Sequence, residues 1–177
     1  MDRKQTVRSI LILVLCAAMA LPALAERGDD AGRASKNGRV SGAINGVEVT
    51  VEYGRPNVKG RTIWGGLVPY EKVWRTGADE ATTITFSDDV AVQGEALAAG
   101  TYGLFTIPNE ENWTVIFNKT SEQWGAFNYD AGQDALRVTV EPVAGEMVES
   151  MDFEIGDSAV TLRWDKLAVP FEVDAAN

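Results

Sequence analysis

The chain has no histidine and only one cysteine, Cys16. Without histidine, Ser-His-Asp and Cys-His catalysis in their usual forms are excluded. So are the usual histidine-bearing zinc and copper sites. An enzyme built from this chain would have to use carboxylates, Lys, Arg, Tyr or a hydroxyl. Any metal would be a hard cation held by oxygen, and no cofactor is expected. Positive charge is also scarce, with 16 Lys and Arg against 26 Asp and Glu. An acidic surface repels phosphate backbones and anionic lipid heads, which argues against a nucleic-acid partner. After residue 25 there is no apolar run long enough to span a bilayer.

The one long apolar run is at the start. Arg3, Lys4 and Arg8 precede an unbroken stretch from Ile10 to Leu21, and Ala23-Leu24-Ala25 has the small-x-small form of a cleavage site. Residues 1–25 therefore read as a secretory signal peptide, with the mature chain starting near Glu26 and exported to the periplasm or beyond. Lipidation at Cys16 is disfavoured because Leu15 is not small. Cleavage removes the only thiol. It also leaves 13 basic residues against 25 acidic ones, a net charge of −12.

Residues 26–38 are polar, contain glycine and lack an apolar period, so they read as a flexible linker. The remainder, 39–177, reads as a single domain. Strand patterns dominate it. Val47, Val49, Val51 and Tyr53 alternate with polar neighbours, as do Leu136, Val138 and Val140, and Val160, Leu162 and Trp164. Residues 101–107 and 113–117 read as a hairpin. Further strands are expected at 81–86, 148–155 and 169–173. The expectation is an all-β fold, an antiparallel β-sandwich of roughly eight to ten strands. Two long connections, 54–77 and 118–134, break the strand rhythm, and long ordered loops are often functional.

The first connection carries a basic island: Arg55, Lys59, Arg61, Lys72 and Arg75 against a single acid, Glu71. Guanidinium forks suit carboxylate, phosphate or sulfate. The bland alternative is that these arginines pair with Asp79, Glu80 and nearby acids to pin the loop. Aromatics are the second feature. Trp64, Tyr70, Trp74, Trp124, Phe127 and Tyr129 lie in or beside the connections. They are either stacking faces for sugars and cations or plugs for the ends of the sandwich. Trp113 and Trp164 look like core. The third feature, Asn128 to Asp134, offers oxygens to calcium but reads better as a solvated turn. Asn112 and Asn118 open glycosylation sequons.

The run YGRPNVKGRTIWGGLVPYEKVWRTGADEATT (53–83) closely resembles the signature block of the bacterial domain-of-unknown-function family 2911. AGTYGLFTIP (99–108), WTVIFNKTSEQWGAFNYD (113–130) and LRWDKLAVPFEV (162–173) resemble it too. The resemblance implies an envelope or secreted protein and brings no activity, substrate or catalytic residue with it.

Three functions remain. The first is a non-catalytic binding module for an anionic or sugar-like small molecule, using Arg55, Lys59, Arg61, Trp64, Arg75, Glu80, Trp124 and Tyr129. Both long connections are then expected to meet, at one end of the sandwich. The second is an envelope structural or interaction protein. The third is a hydrolase or lyase with Asp79 or Glu80 as acid or base, Arg75 as anion holder and Tyr70 as auxiliary. Adjacent carboxylates on a strand point to opposite faces, which counts against pairing them. Oligomeric state is not encoded in any recognisable pattern.

Overall fold

Alternation of apolar and polar residues builds β-strands such as 47–53 and 82–86, whose apolar members are buried. In the computed structural model, which describes residues 27–176, ten strands run β1 (Lys36–Ile44), β2 (Val47–Arg55), β3 (Thr82–Phe86), β4 (Val90–Val92), β5 (Glu95–Leu97), β6 (Gly100–Ile107), β7 (Trp113–Asn118), β8 (Asp134–Val140), β9 (Val143–Ile155) and β10 (Ala159–Ala175). They form two antiparallel sheets, one of order β1-β2-β3-β6-β7-β8 and one of order β5-β4-β10-β9. The expected all-β sandwich is what the chain forms. The signal peptide at 1–25, its cleavage site and Cys16 lie outside the described residues. Among the described residues no helix is long and apolar enough to cross a membrane.

The core lies between the sheets. Val49, Val51, Ile84, Phe86, Leu104, Val115 and Phe117 face inward from the larger sheet, all at or near zero exposure. Met151, Phe153, Leu162, Phe171 and Val173 answer from the smaller one. Aromatic edges bridge the layers, with Tyr53 against Phe153 at 4.9 Å and Phe117 against Phe171 at 5.9 Å. At about 25 cal/mol per Å², inward rows of this kind supply most of the stabilisation of a domain that has no disulfide to lean on.

Three differences from the sequence reading have physical causes. First, the expected linker does not end where β1 begins. Residues 36–38 pair with β2 in a nine-residue register, Lys36 opposite Arg55 through Ile44 opposite Val47. The Asn45-Gly46 turn closes that hairpin, with φ of 50° and 89°, the left-handed pair a two-residue turn needs. Second, residues 159–175 are one bent strand rather than two. β10 pairs with β9 as far as Ala168, with register shifts on either side of Asp165, whose φ is 55°, and then pairs with β4 from Val173. Third, strand pairing of β9 begins at Val143, five residues before the expected start at 148. The 101–107/113–117 hairpin is present as β6 and β7, from Gly103 opposite Asn118 to Ile107 opposite Thr114.

The first long connection feeds the core. Val58, Ile63 and Val68 are buried, and Trp64 and Trp74 pack with Trp113 and Trp164. Trp64 crosses Trp113 at 4.9 Å and 71° and Trp164 at 5.6 Å and 85°, while Trp74 stacks on Trp164 at 5.9 Å and 20°. Perpendicular crossings set positive ring edges on negative faces. Gly54 lets the two ends of this connection touch, because a Cβ there would lie 2.2 Å from the Ala78 carbonyl oxygen.

Candidate functional site

The two long connections do meet. The Ala81 amide donates to the Gln123 carbonyl at 3.0 Å and the Gly125 amide to the Asp79 carbonyl at 3.0 Å. Glu80 and Trp124 thereby pair as a short antiparallel bridge. The meeting point is the outer face of the larger sheet, not an end of the sandwich. β3 buries Thr82, Ile84 and Phe86, so Thr83 points outward, and Glu52 does the same on β2 between buried Val51 and Tyr53. Gly103 lets the second connection lie over β6, since a Cβ there would sit 2.8 Å from the Thr120 carbonyl oxygen. A small outer core of Ala81, Phe105 and Ile116, with Tyr129 packed on it, anchors that connection.

A cleft of about 330 Å³ opens at this junction. Glu52 and Thr83 line it from the sheet, Glu80 and Ala81 from the first connection, and Ser121, Gln123 and Trp124 from the second. Trp124 is 57% exposed, the most exposed indole in the described residues. Arg27 forms the remaining wall, and its side chain is only 9% exposed. Its Nη2 donates to the Glu52 carbonyl at 3.1 Å and to the Ala81 carbonyl, and its Nη1 stands 3.7 Å from a Glu80 oxygen. Arg33 forks onto Glu80 with both terminal nitrogens, at 2.7 and 2.6 Å. That fork is the main reason the Glu80 carboxyl is held down at about 2. Desolvation pulls the Arg27 guanidinium below its ordinary value, with Glu80 opposing.

A carboxyl at about 2 is ionised throughout the neutral range, so Glu80 holds no proton to donate and is a weak base. Its setting suits fixed-charge recognition. The partners of Glu80 come from the expected linker rather than the basic island, and residues 27–35 are docked by these arginines. No one-dimensional pattern marks Arg27 or Arg33, because they sit among Gly, Asp and Ser with no period to align them.

The basic island disperses. Arg55 donates through Nε to the Met151 carbonyl at 3.1 Å. Arg61 folds onto its own turn, donating to the carbonyls of Val58 and Asn57. Lys59 is exposed, and its backbone amide donates to a Glu149 carboxylate oxygen at 2.9 Å. Segment 56–58 is laced to β9 through Val58 to Glu149 at 2.8 Å and Met151 to Pro56 at 3.0 Å. Arg55, Lys59 and Arg61 thus belong to the side of the molecule built by β9. Arg75 is different. It is half-buried, its Nε has no hydrogen-bond partner among the described residues, and burial lowers its pKa with only Asp79 opposing.

Trp64 is held in the tryptophan cluster and offers no open face to the cleft. Tyr129 is engaged at the root of the second connection. Its hydroxyl donates to Asp134 at 2.7 Å and accepts from Arg137 at 2.6 Å, and desolvation followed by Asp134 pushes its pKa up to about 12. Buried Asn118 donates to the Asp130 carbonyl and to Asp134, at 2.9 and 2.7 Å. Both protons of its amide are committed and its side chain is buried in the folded chain, whereas Asn112 is exposed. Of the candidate residues, the structure brings Glu80 and Trp124 together and adds Arg27, Arg33, Glu52, Thr83 and Gln123.

The sequence profile described as "Protein of unknown function (DUF2911)" matches residues 35–173. The chain belongs to the DUF2911 family. The matched span contains Glu52, Glu80, Thr83 and the 121–124 wall of the cleft, and it excludes Arg27 and Arg33. No curated protein and no solved structure matches the chain. The DUF2911 assignment therefore carries no activity, and function has to be read from the cleft.

Proposed function

We propose that this DUF2911 chain is an exported, non-catalytic binding module that takes a small sugar-like molecule in the cleft beneath Trp124. The leader sequence supports the exported part, and the cleft supports the rest. The single observation that carries the reading is a half-exposed indole beside a mainly apolar recess of about 330 Å³ with a few polar side chains in its wall. That size falls within the range of small-molecule sites. An indole face stacks on the apolar side of a sugar ring, while Glu52, Thr83, Ser121 and Gln123 supply acceptors and hydroxyls for ring hydroxyl groups. The anionic half of the expectation draws less support. Glu52, Glu80 and Glu122 stand round the cleft against Arg27, so a negatively charged ligand would be repelled.

The test is a titration of the chain from Glu26 onward with a panel of uncharged mono- and disaccharides, followed by calorimetry. At least one is expected to bind, and Trp124→Ala is expected to weaken it tenfold or more, about 1.4 kcal/mol. Undiminished binding by Trp124→Ala, or no binding across the panel, would remove the reading.

A further inference from the structure

Glu80 is occupied by two guanidinium groups from one short segment, and that segment lies outside the span the family profile matches. We propose that residues 27–33 are an intramolecular occupant of a cation-recognising site, and that the ligand displaces them by placing a guanidinium or ammonium group against Glu80. This rests on the reading that the cleft beside Trp124 binds a sugar-like ligand, and it deepens that reading: the full ligand carries a cationic substituent, as an amino sugar does, beside the neutral ring that the saccharide panel probes.

The receptor is seen with a cation already in it. The carbonyls of Glu52 and Ala81 converge on Nη2 of Arg27, and Glu80 faces Nη1. Two carbonyl oxygens accept from Nη2 while the Glu80 carboxylate balances the charge 3.7 Å from Nη1, which has no hydrogen-bond partner among the described residues, so one planar fork is surrounded by acceptors. Arg33 completes it from the outer side, 3.7 Å from Asp79 and forked onto Glu80. With both side chains withdrawn, the cleft is lined by Glu80, Glu122, Glu52, which also holds Arg39 at 2.8 Å, and Trp124, and Asp79 stands at the place Arg33 vacates. Negative charge beside an aromatic face is the setting that attracts a cation. Arg39 on Glu52 and Arg75, whose charge interacts with that of Asp79, are the opposing charges that remain.

The occupant is built to leave. None of residues 27–35 is fully buried, so no apolar side chain ties the segment to the core. Its other attachments are polar: Asn37 Nδ2 to the Gly28 carbonyl, the Asn37 amide to Asp30, and Lys36 Nζ to the Asp30 carbonyl. Lifting it exchanges hydrogen bonds and ion pairs for solvent or ligand and leaves the sandwich core untouched. An incoming cation repeats the contacts that the segment gives up.

The probe is N-acetyl-argininamide, with N-acetyl-citrullinamide as its uncharged ureido counterpart. Both are titrated by calorimetry into the wild-type chain, Arg27→Ala/Arg33→Ala, and that variant with Glu80→Gln added. The double variant is expected to bind the arginine probe at least tenfold more tightly than wild type and to prefer it over the citrulline probe. Adding Glu80→Gln is expected to abolish the gain. A double variant with native near-ultraviolet dichroism that binds neither probe, or both equally, overturns the proposal. Should the double variant fail to fold, hydrogen exchange on the wild type decides. Amides 28–35 are expected to exchange faster in excess arginine probe and not in the citrulline probe, and equal rates overturn the proposal. A neutral sugar bound through Trp124 without any preference for the arginine probe would remove the cation while leaving the binding cleft. Failure of both would remove both.

Discussion

Replacing Glu80 by Gln removes the charge that Arg27 and Arg33 converge on while keeping the shape of the side chain. In the folded chain this carboxyl sits at about 2, against an ordinary 4.5. Each tenfold change in proton affinity is worth about 1.4 kcal/mol, so the formal ceiling is about 3 kcal/mol. Glu80 keeps 28% of its side chain in solvent, and screening of such a pair brings the expected loss to about 1 kcal/mol. The sign follows from the direction. A carboxyl depressed by folding contributes fully above its unfolded value and loses that contribution as pH falls through its folded value. The wild type should therefore be more stable than Glu80→Gln by about 1 kcal/mol at pH 7, with the gap closing between about pH 4.5 and pH 2. Urea titrations of both proteins at several pH values across that window measure it. A gap that stays constant down to pH 2 would mean that Glu80 acts through shape. No gap at pH 7 would mean that its guanidinium contacts contribute nothing to stability.

Other substitutions separate structural residues from available ones. Arg75→Ala is expected to change unfolding stability by no more than about 0.5 kcal/mol, because its Nε has no hydrogen-bond partner among the described residues and Asp79 acts on it only at longer range. A loss of about 3–5 kcal/mol, typical of a broken buried ion pair, would make Arg75 a pin for the loop. Trp64→Ala is expected to cost about 3–5 kcal/mol in the same assay, because the indole fills the cluster against Trp113 and Trp164. A near-neutral result would return Trp64 to the list of ligand-facing residues. Gly54→Ala sets a methyl group against the Ala78 backbone and is expected to lower thermal stability more than any surface alanine substitution, with circular dichroism as the readout.

Much of the sandwich was legible because period-two alternation has one physical outcome. β2 reads as Val47, Val49, Val51 and Tyr53, and all four are buried. β1 was illegible for the converse reason. Its sequence, KNGRVSGAI, is edge-strand chemistry with two glycines, and Gly38 is required because a Cβ there would meet the Tyr53 ring at 2.6 Å. The Asn45-Gly46 turn was the available signal for it, since a tight turn followed by an alternating strand implies a partner strand on its other side. At the site, the meeting of the two long connections was legible, and Glu80 with Trp124 came out of it. The dispersal of the island was not. Arg55 and Arg61 satisfy carbonyls in their own turn and on β9, and local capping of that kind leaves no trace in composition. The arrival of Arg27 and Arg33 depends on a long-range contact from a segment that has no apolar pattern to betray it.

The most direct test of the cleft is the footprint of a bound sugar. Amide chemical-shift changes would be recorded on isotope-labelled chain, residues 26–177, titrated with the tightest uncharged saccharide of the panel. The cleft predicts that the shifts concentrate at 80–83 and 121–125, with the indole N–H of Trp124 among the largest. Shifts centred on 55–61, where Arg55, Lys59 and Arg61 lie along β9, with none at Trp124, would contradict it.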